Sequence, residues 1–352
     1  MNMKNKVLIY GANGYTGELI ARFARDFSIE PILAGRTETT IVQVAQRYNL
    51  PYHIFSLDDK ASLLHALKHV AVVIHAAGPF HYTAKQMVEA CIETGTHYLD
   101  INGDISVFEF IKRYDAKAKA AQVMLLPGSG FDVVPTDCIA YALKEQVPDA
   151  THLEIAFLPR GGGGVSHGTA KTMAGKAGEG GCVRENGAIT RKPLGHKGKW
   201  INISGKRLFA MSIPWGDIAT AHVSTGIPNI ITFTGMKPSV YRILKFQFLF
   251  NWLLRTTWMR DIIQNKINNR PAGPTDAQRS NGKTYVWAQV RNAQGETKAT
   301  AIQTSDGYTV TYEACLIIAK KILNGVFKTG YQTPASAYGK ELVFELSGTK
   351  QL

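Results

Sequence analysis

The sequence predicts an α/β protein: a doubly wound parallel sheet, with a second α+β domain built on a mixed sheet. Three observations carry this. Apolar runs alternate with helical spacings from the N-terminus to about residue 130. The first run, Val7-Leu8-Ile9-Tyr10, breaks at once into Gly11-Ala12-Asn13-Gly14-Tyr15-Thr16-Gly17 and a helix start. From about Asp132 the texture changes to longer β segments joined by glycine-rich stretches. Apolar strands without polar alternation are buried on both faces, the habit of parallel sheets covered by crossover helices.

The elements follow in order. After the first strand and its glycine turn comes the strand Pro31-Ile32-Leu33-Ala34, which ends in Gly35-Arg36-Thr37. His53 to Leu57 reads as a short strand, Lys60 to His69 as a helix, and Val70 to Ala77 as a fully buried strand ending in Gly78-Pro79. A helix over Ala84 to Glu93, a strand over Thr96 to Ile101, a helix over Phe108 to Ala121 and a strand over Val123 to Leu126 complete the pattern. The Rossmann domain is set at 1–132, completed by 308–352, with a substrate and dimerisation domain at 133–307. In that second domain Thr151 to Pro159, Lys199 to Ile213, Ile230 to Thr234, Tyr285 to Arg291 and Lys298 to Thr304 read as β structure. The stretch from Arg160 to Gly198 reads as a glycine-rich basic loop, and Thr309 to Leu323 as a helix.

A spaced-glycine turn between a strand and a helix suits a dinucleotide. Glycine reaches positive φ and lets an anion approach the backbone. The helix start offers free N–H groups and a positive dipole end to a pyrophosphate. Gly11, Asn13, Gly14, Tyr15, Thr16 and Gly17 are the candidate pyrophosphate residues. An Asp or Glu closing the second strand would mark a free ribose 2′-hydroxyl. None stands there. Gly35 leaves room, Arg36 brings a planar cation and Thr37 a hydroxyl, which suit a 2′-phosphate. The cofactor expected is therefore NADP rather than NAD. Ala77, Gly78 and Pro79 end the fourth strand and are expected on the nicotinamide side.

The net charge of +13 is concentrated: Arg160 to Arg270 holds 17 Lys and Arg against 4 Asp and Glu, the whole of the excess. An anionic substrate, an acidic carrier or an anionic membrane surface would meet such charge, and so would plain solvent. No recognition motif accompanies it, so nucleic acid is not expected. The four cysteines are scattered without a Cys-x-x-Cys pair, which argues against a metal knuckle or a disulfide framework and for reduced thiols in the cytoplasm. The apolar run behind Lys6 is too short for a secretory signal, and no run reaches membrane-spanning length. Between Val240 and Ile267 apolar residues crowd among Arg and Lys. A core or dimer-interface helix is the preferred reading, and peripheral membrane contact the competing one.

Further motifs line up in order. They are Ala76-Ala77-Gly78-Pro79-Phe80, Cys91 to Asp100 continuing to Gly103-Asp104, Gly128 to Asp137, Ser166-His167-Gly168-Thr169, Arg270-Pro271-Ala272-Gly273-Pro274, Asp306-Gly307-Tyr308 and Thr333-Pro334-Ala335. The set resembles the saccharopine dehydrogenase-like oxidoreductases, in the branch that includes trans-acting enoyl reductases and lipid-associated proteins. Where that pattern usually has Gly-Glu, this sequence has Gly103-Asp104. The resemblance implies a nicotinamide cofactor, a second domain with a mixed sheet and frequent dimers, and it leaves the substrate open. It favours an NADPH-dependent reductase of a hydrophobic or acyl-linked, lipid-like substrate. The alternative is a non-catalytic cofactor-binding protein at a membrane or lipid surface. A ketone or imine acceptor needs a proton donor. The candidates are His167, in the glycine-rich loop, Tyr98, and Asp132 after the last Rossmann strand. Asp132 could equally cap the helix near Pro135, His167 could be an exposed loop histidine, and Tyr98 could be structural.

Overall fold

In a computed structural model the described residues are 4–352 apart from 163, 177, 250 and 255. The chain forms two compact units, Met1–Val134 with Tyr308–Leu346, and Pro135–Gly307 with Ser347–Leu352.

The first unit is built on parallel strands: β1 (Lys6–Tyr10), β2 (Ile32–Gly35), β3 (Tyr52–Ile54), β4 (Val70–His75), β5 (His97–Asp100) and β6 (Met124–Leu126). A last short strand, Gly330–Tyr331, pairs with β6. The order across the sheet is Gly330–Tyr331, β6, β5, β4, β1, β2, β3, and every pairing is parallel. The chain therefore reverses its direction of growth between β1 and β4. Loops at the carboxyl ends of strands flanking such a reversal diverge and leave a crevice. All of Val70–His75 is buried, as the absence of polar alternation requires.

The helix expected over Ala84 to Glu93 runs Phe80–Thr94, and another expected helix divides. Phe108 to Ala121 divides into Ile105–Lys112 and Asp115–Ala120, and the first starts earlier than predicted. Asp104 is the reason: its Oδ1 accepts from Ser106 N–H at 2.9 Å and caps the helix.

The second unit holds a mixed sheet: β7 (His152–Arg160), β8 (Gly181–Glu185), β9 (Ala188–Lys192), β10 (Gly198–Ile203), β11 (Lys206–Ser212), β12 (Asn229–Gly235), β13 (Lys283–Arg291) and β14 (Thr297–Ser305). The order is β10, β11, β12, β7, β13, β14, then Lys350–Gln351, with the β8–β9 hairpin attached to β12. Only β12 and β7 run parallel. Ala156, Leu158, Ile201, Ile203, Phe233 and Trp287 form a core on one side of this sheet.

The glycine-rich stretch is not one loop. Ser166 caps a helix over His167–Gly175, and β8 and β9 form a hairpin. Asn186 and Gly187 turn that hairpin with φ of 49° and 82°, the left-handed pair a two-residue turn requires. Ser204 and Gly205, at 48° and 76°, likewise divide the predicted Lys199 to Ile213 segment into β10 and β11.

The segment from Val240 to Ile267 is not a single core helix, one of the two forms of the preferred reading. It forms short helices over Pro238–Leu244, Asn251–Leu254 and Thr257–Asn268. Phe248 is 70% exposed and Trp252 66%, and Ile243, Phe246, Leu249 and Trp258 are exposed as well. These side chains are not core within this chain. Among the described residues no helix is long and apolar enough to cross a membrane.

Candidate nucleotide site

The site is assembled from three strand ends of the first unit. Gly11 leaves β1 at φ 87°, and a Cβ there would lie 2.7 Å from Ala77 N, so only glycine lets this turn pass the end of β4. Gly11 N–H donates to Ala34 O of β2 at 2.8 Å, and Ala76 N–H to Tyr10 O of β1 at 2.8 Å. The glycine loop is thus held between the ends of β2 and β4.

Gly14 is the N-cap of the helix Tyr15–Phe23 and supplies no capping side chain. No capping side chain therefore competes with an anion at this helix start. A Cβ at Gly17 would sit 2.3 Å from Gly11 O, so the third glycine is what brings the helix against the loop. Asn13 Nδ2 donates to Thr40 Oγ1 at 3.1 Å, and Thr40 Oγ1 to Thr37 O at 3.1 Å, which ties the glycine loop to the loop after β2. Gly35 is buried against Ile41. Arg36 and Thr37 are exposed beyond it, and the Arg36 guanidinium makes no hydrogen bond or ion pair with other described residues.

At the end of β4, Thr83 Oγ1 donates to Ala77 O at 2.8 Å and lies 3.0 Å from His75 Nε2. With its proton committed to Ala77, the hydroxyl accepts from His75, so Nε2 carries the hydrogen and Nδ1 is a buried acceptor without a partner. Burial pushes this imidazole down to about 3. A cavity of about 310 Å³ opens between the helices that follow β4 and β5. Phe80 and Phe110 give it apolar walls, and His81, Lys85 and Arg113 give it cations.

The three proton-transfer candidates are placed differently. Tyr98 has no exposed surface, and its hydroxyl donates to Asp100 Oδ2 at 2.7 Å. It has no face for a ligand. Asp100 also accepts from Gly128 N–H at 2.8 Å and Asn102 N–H at 3.0 Å, and so joins the ends of β5 and β6. Asp132 is half-buried against Gly103, and burial pushes its carboxyl up to about 7. His167 lies in the second unit, where Nε2 donates to Arg270 O at 2.6 Å. That bond occupies one of the two ring nitrogens.

Two residues of the first unit stand beside the glycine loop and the Gly128 turn without having been assigned there from sequence: Tyr308, quoted only within a motif, and Thr311. Tyr308 meets the Tyr15 ring edge-on at 5.0 Å. Thr311 Oγ1 accepts from Phe131 N–H at 3.0 Å, and a Cβ at Gly130 would collide with Thr311 Cγ2 at 2.8 Å. The Gly128-Ser129-Gly130 spacing was the available signal for such a close approach.

The arrangement fits a phosphorylated dinucleotide: a glycine cradle closed to any Cβ, an uncapped helix start, and an unpaired guanidinium where an acid is missing. Comparison with known proteins agrees. Residues 7–126 match the family described as the saccharopine dehydrogenase NADP binding domain. A saccharopine dehydrogenase-like oxidoreductase of Bos taurus is 26% identical over 151 residues, covering 37% of this chain and 35% of that protein. A lipid droplet localized protein of Caenorhabditis elegans is 27% identical over 163 residues, covering 42% and 38%. A Mycobacterium tuberculosis protein, whose name offers trans-acting enoyl reductase as a candidate activity, is 31% identical over 147 residues, covering 39% and 35%. The chain thus matches about a third of the length of these curated relatives. Apo saccharopine dehydrogenase (L-Glu forming) from Saccharomyces cerevisiae aligns over 99% of this chain and 100% of its own, with a TM-score of 0.66 at 13% identity, a likeness of fold.

Proposed function

We propose, from the premise that the first unit is a saccharopine dehydrogenase NADP binding domain, that the protein is an NADPH-dependent reductase of a hydrophobic or acyl-linked substrate. The observation that carries this is the meeting of the glycine loop, Arg36 and the Ala77 strand end within one unit. Gly11 to Gly17 would hold the pyrophosphate, Arg36 and Thr37 the adenosine phosphate, and Ala77 to Pro79 the nicotinamide end. The cofactor supplies the hydride; the chain supplies orientation and electrostatics. Asp132, with a carboxyl near neutrality, is the best-tuned candidate for proton donor. The cavity between Phe80 and Phe110 has walls for an acyl chain, and Lys85 and Arg113 for an anionic end. The test is NADPH oxidation in single turnover against a panel of acyl thioesters and ketones. Tight NADPH binding with no oxidation across the panel would refute the enzyme.

The second reading is a non-catalytic, cofactor-binding protein at a lipid surface. The exposed Ile243, Phe246, Phe248, Leu249, Trp252 and Trp258 side chains and the name of the nematode relative favour it. For the reductase we assign that segment to a homodimer seam in a cytoplasmic protein. Sedimentation equilibrium and liposome co-sedimentation decide between them.

A further inference from the structure

The second unit has a concave face that the nucleotide reading leaves unused. Its register sets Arg291, His152 and Asn229 in one transverse row across β13, β7 and β12. Gln289, Glu154 and Ile231 form the next row on the same face. The β8–β9 hairpin and the start of β10 close the other side, around a cavity of about 570 Å³. This is the size of a small-molecule site.

Charge in this cavity is unbalanced. Of its acids, Glu154 is ion-paired with Lys199, whose ammonium also lies 4.5 Å over the Trp287 ring. Glu185 is ion-paired with Lys192 at 2.9 Å. Both carboxylates of the lining are therefore spent. Lys197 and Arg291 line the same space, are exposed, and have no ion pair with a described residue. Two histidines stand beside them. His152 is held at Nδ1 by Thr151 Oγ1 at 2.9 Å, and His196 at Nδ1 by Ser212 Oγ at 2.9 Å. Nε2 of each has no partner among the described residues. Thr151 Oγ1 also donates to Arg291 O at 3.3 Å, so His152 carries its hydrogen on Nδ1, whereas Ser212 Oγ accepts from Lys197 N–H and donates to His196 Nδ1, which leaves the hydrogen on His196 Nε2. Both imidazoles are held below the ordinary range, first by burial and then by nearby cations: Arg291 and Lys197 for His152, Lys197 and Lys192 for His196. Those cations act on the same small volume.

We propose that this concavity binds a phosphate-bearing small molecule, gripped by Lys197 and Arg291 with Nε2 of His196 as a further donor. One planar carboxylate is served by a single guanidinium fork. Three donors, two from the turn before β10 and one from the end of β13, suit a tetrahedral oxyanion with more charge and more oxygens. Low-dielectric walls with cations of one sign concentrate such an anion.

Calorimetry on the full chain with inorganic pyrophosphate tests this, with NADP saturating so that the nucleotide site cannot take the probe. Pyrophosphate is expected to bind, inorganic phosphate more weakly and succinate least, with affinity falling as salt rises. The Lys197→Gln/Arg291→Gln variant should bind pyrophosphate at least about 10-fold more weakly, the loss of charge-assisted bonds. Its NADP affinity and melting temperature should be unchanged, since both side chains are exposed. Absence of pyrophosphate binding, equal binding by the variant, or equal binding of succinate overturns the proposal. A failure of NADP binding with pyrophosphate binding intact would refute the nucleotide reading alone.

Discussion

Replacing Gly17 by Ala tests the nucleotide site through one contact. The residue lies in the first turn of the helix Tyr15–Phe23, where the backbone accepts any side chain. Its Cβ would fall 2.3 Å from Gly11 O and 3.0 Å from Ala12 Cα, against 3.4 Å for ordinary contact. The obstacle is backbone, so a rotamer change cannot relieve it. Helix and loop must separate by about 1 Å. Hydrogen bonds work between about 2.7 and 3.2 Å, so that shift removes at least one first-turn N–H from an anion held by the loop. A hydrogen bond to a charged group contributes about 1.5–3 kcal/mol, which predicts a 10- to 100-fold loss of NADP affinity. Stability should move little. Alanine gains about 1 kcal/mol over glycine in a helix, which offsets much of an overpacking cost of about 1–3 kcal/mol. Calorimetric titration with NADP beside a thermal melt measures both. A folded Gly17→Ala protein that binds NADP within twofold of the parent would show that the pyrophosphate lies elsewhere.

Other outcomes are expected. Arg36→Ala should lower NADP affinity by about 10-fold or more and leave NAD affinity unchanged, read by paired titrations. Tyr98→Phe should destabilise the fold by about 1–3 kcal/mol in urea unfolding, because a buried acceptor of Asp100 loses its donor. His75 has a folded value near 3 against 6.5 when unfolded, so its stabilising effect is complete above pH 6.5 and is lost as pH falls toward 3. Melts of the His75→Leu variant over that range should show a shallower acid slope. Asp132 has the opposite sign: its raised folded value costs stability as pH climbs from about 4 to about 7. Asp132→Asn should therefore melt higher than the parent at pH 8 and equally at pH 4.

The first unit was legible because its signals are local. Apolar runs without alternation, glycine at strand ends and the missing acid after β2 all sit within a few residues of what they determine. Asp104 shows where that reading stops. As a residue after a strand it resembles a catalytic carboxylate, and only the Ser106 N–H it accepts reveals a helix cap. Tyr98 is the same case, since its 2.7 Å bond to Asp100 depends on β5 being central in the sheet. The β8–β9 hairpin was readable from Asn186-Gly187, but the surrounding glycines concealed it. The row of Arg291, His152 and Asn229 could not be read at all, because strand register joins residues 77 and 139 positions apart.

The basic excess of the middle third is best understood as two charges with different chemistry. Arg242 and Lys245 are exposed among aromatic and aliphatic side chains on a short helix and the turn after it, and the Lys245 ammonium lies 4.7 Å over the Tyr241 ring. Lys192, Lys197 and Lys199 instead line a concavity with two histidines and two paired acids. Salt separates the two. A cation on open surface is screened within a Debye length of about 8 Å at physiological ionic strength, and apolar burial beside it survives added salt. Binding that depends on Lys197 and Arg291 has no comparable apolar partner and should weaken steadily as salt rises. If liposome or self-association through Ile243 to Trp258 persists in high salt while pyrophosphate binding disappears, the two surfaces are independent. If both fade together, the apolar side chains contribute little, and the middle third acts as a single electrostatic face.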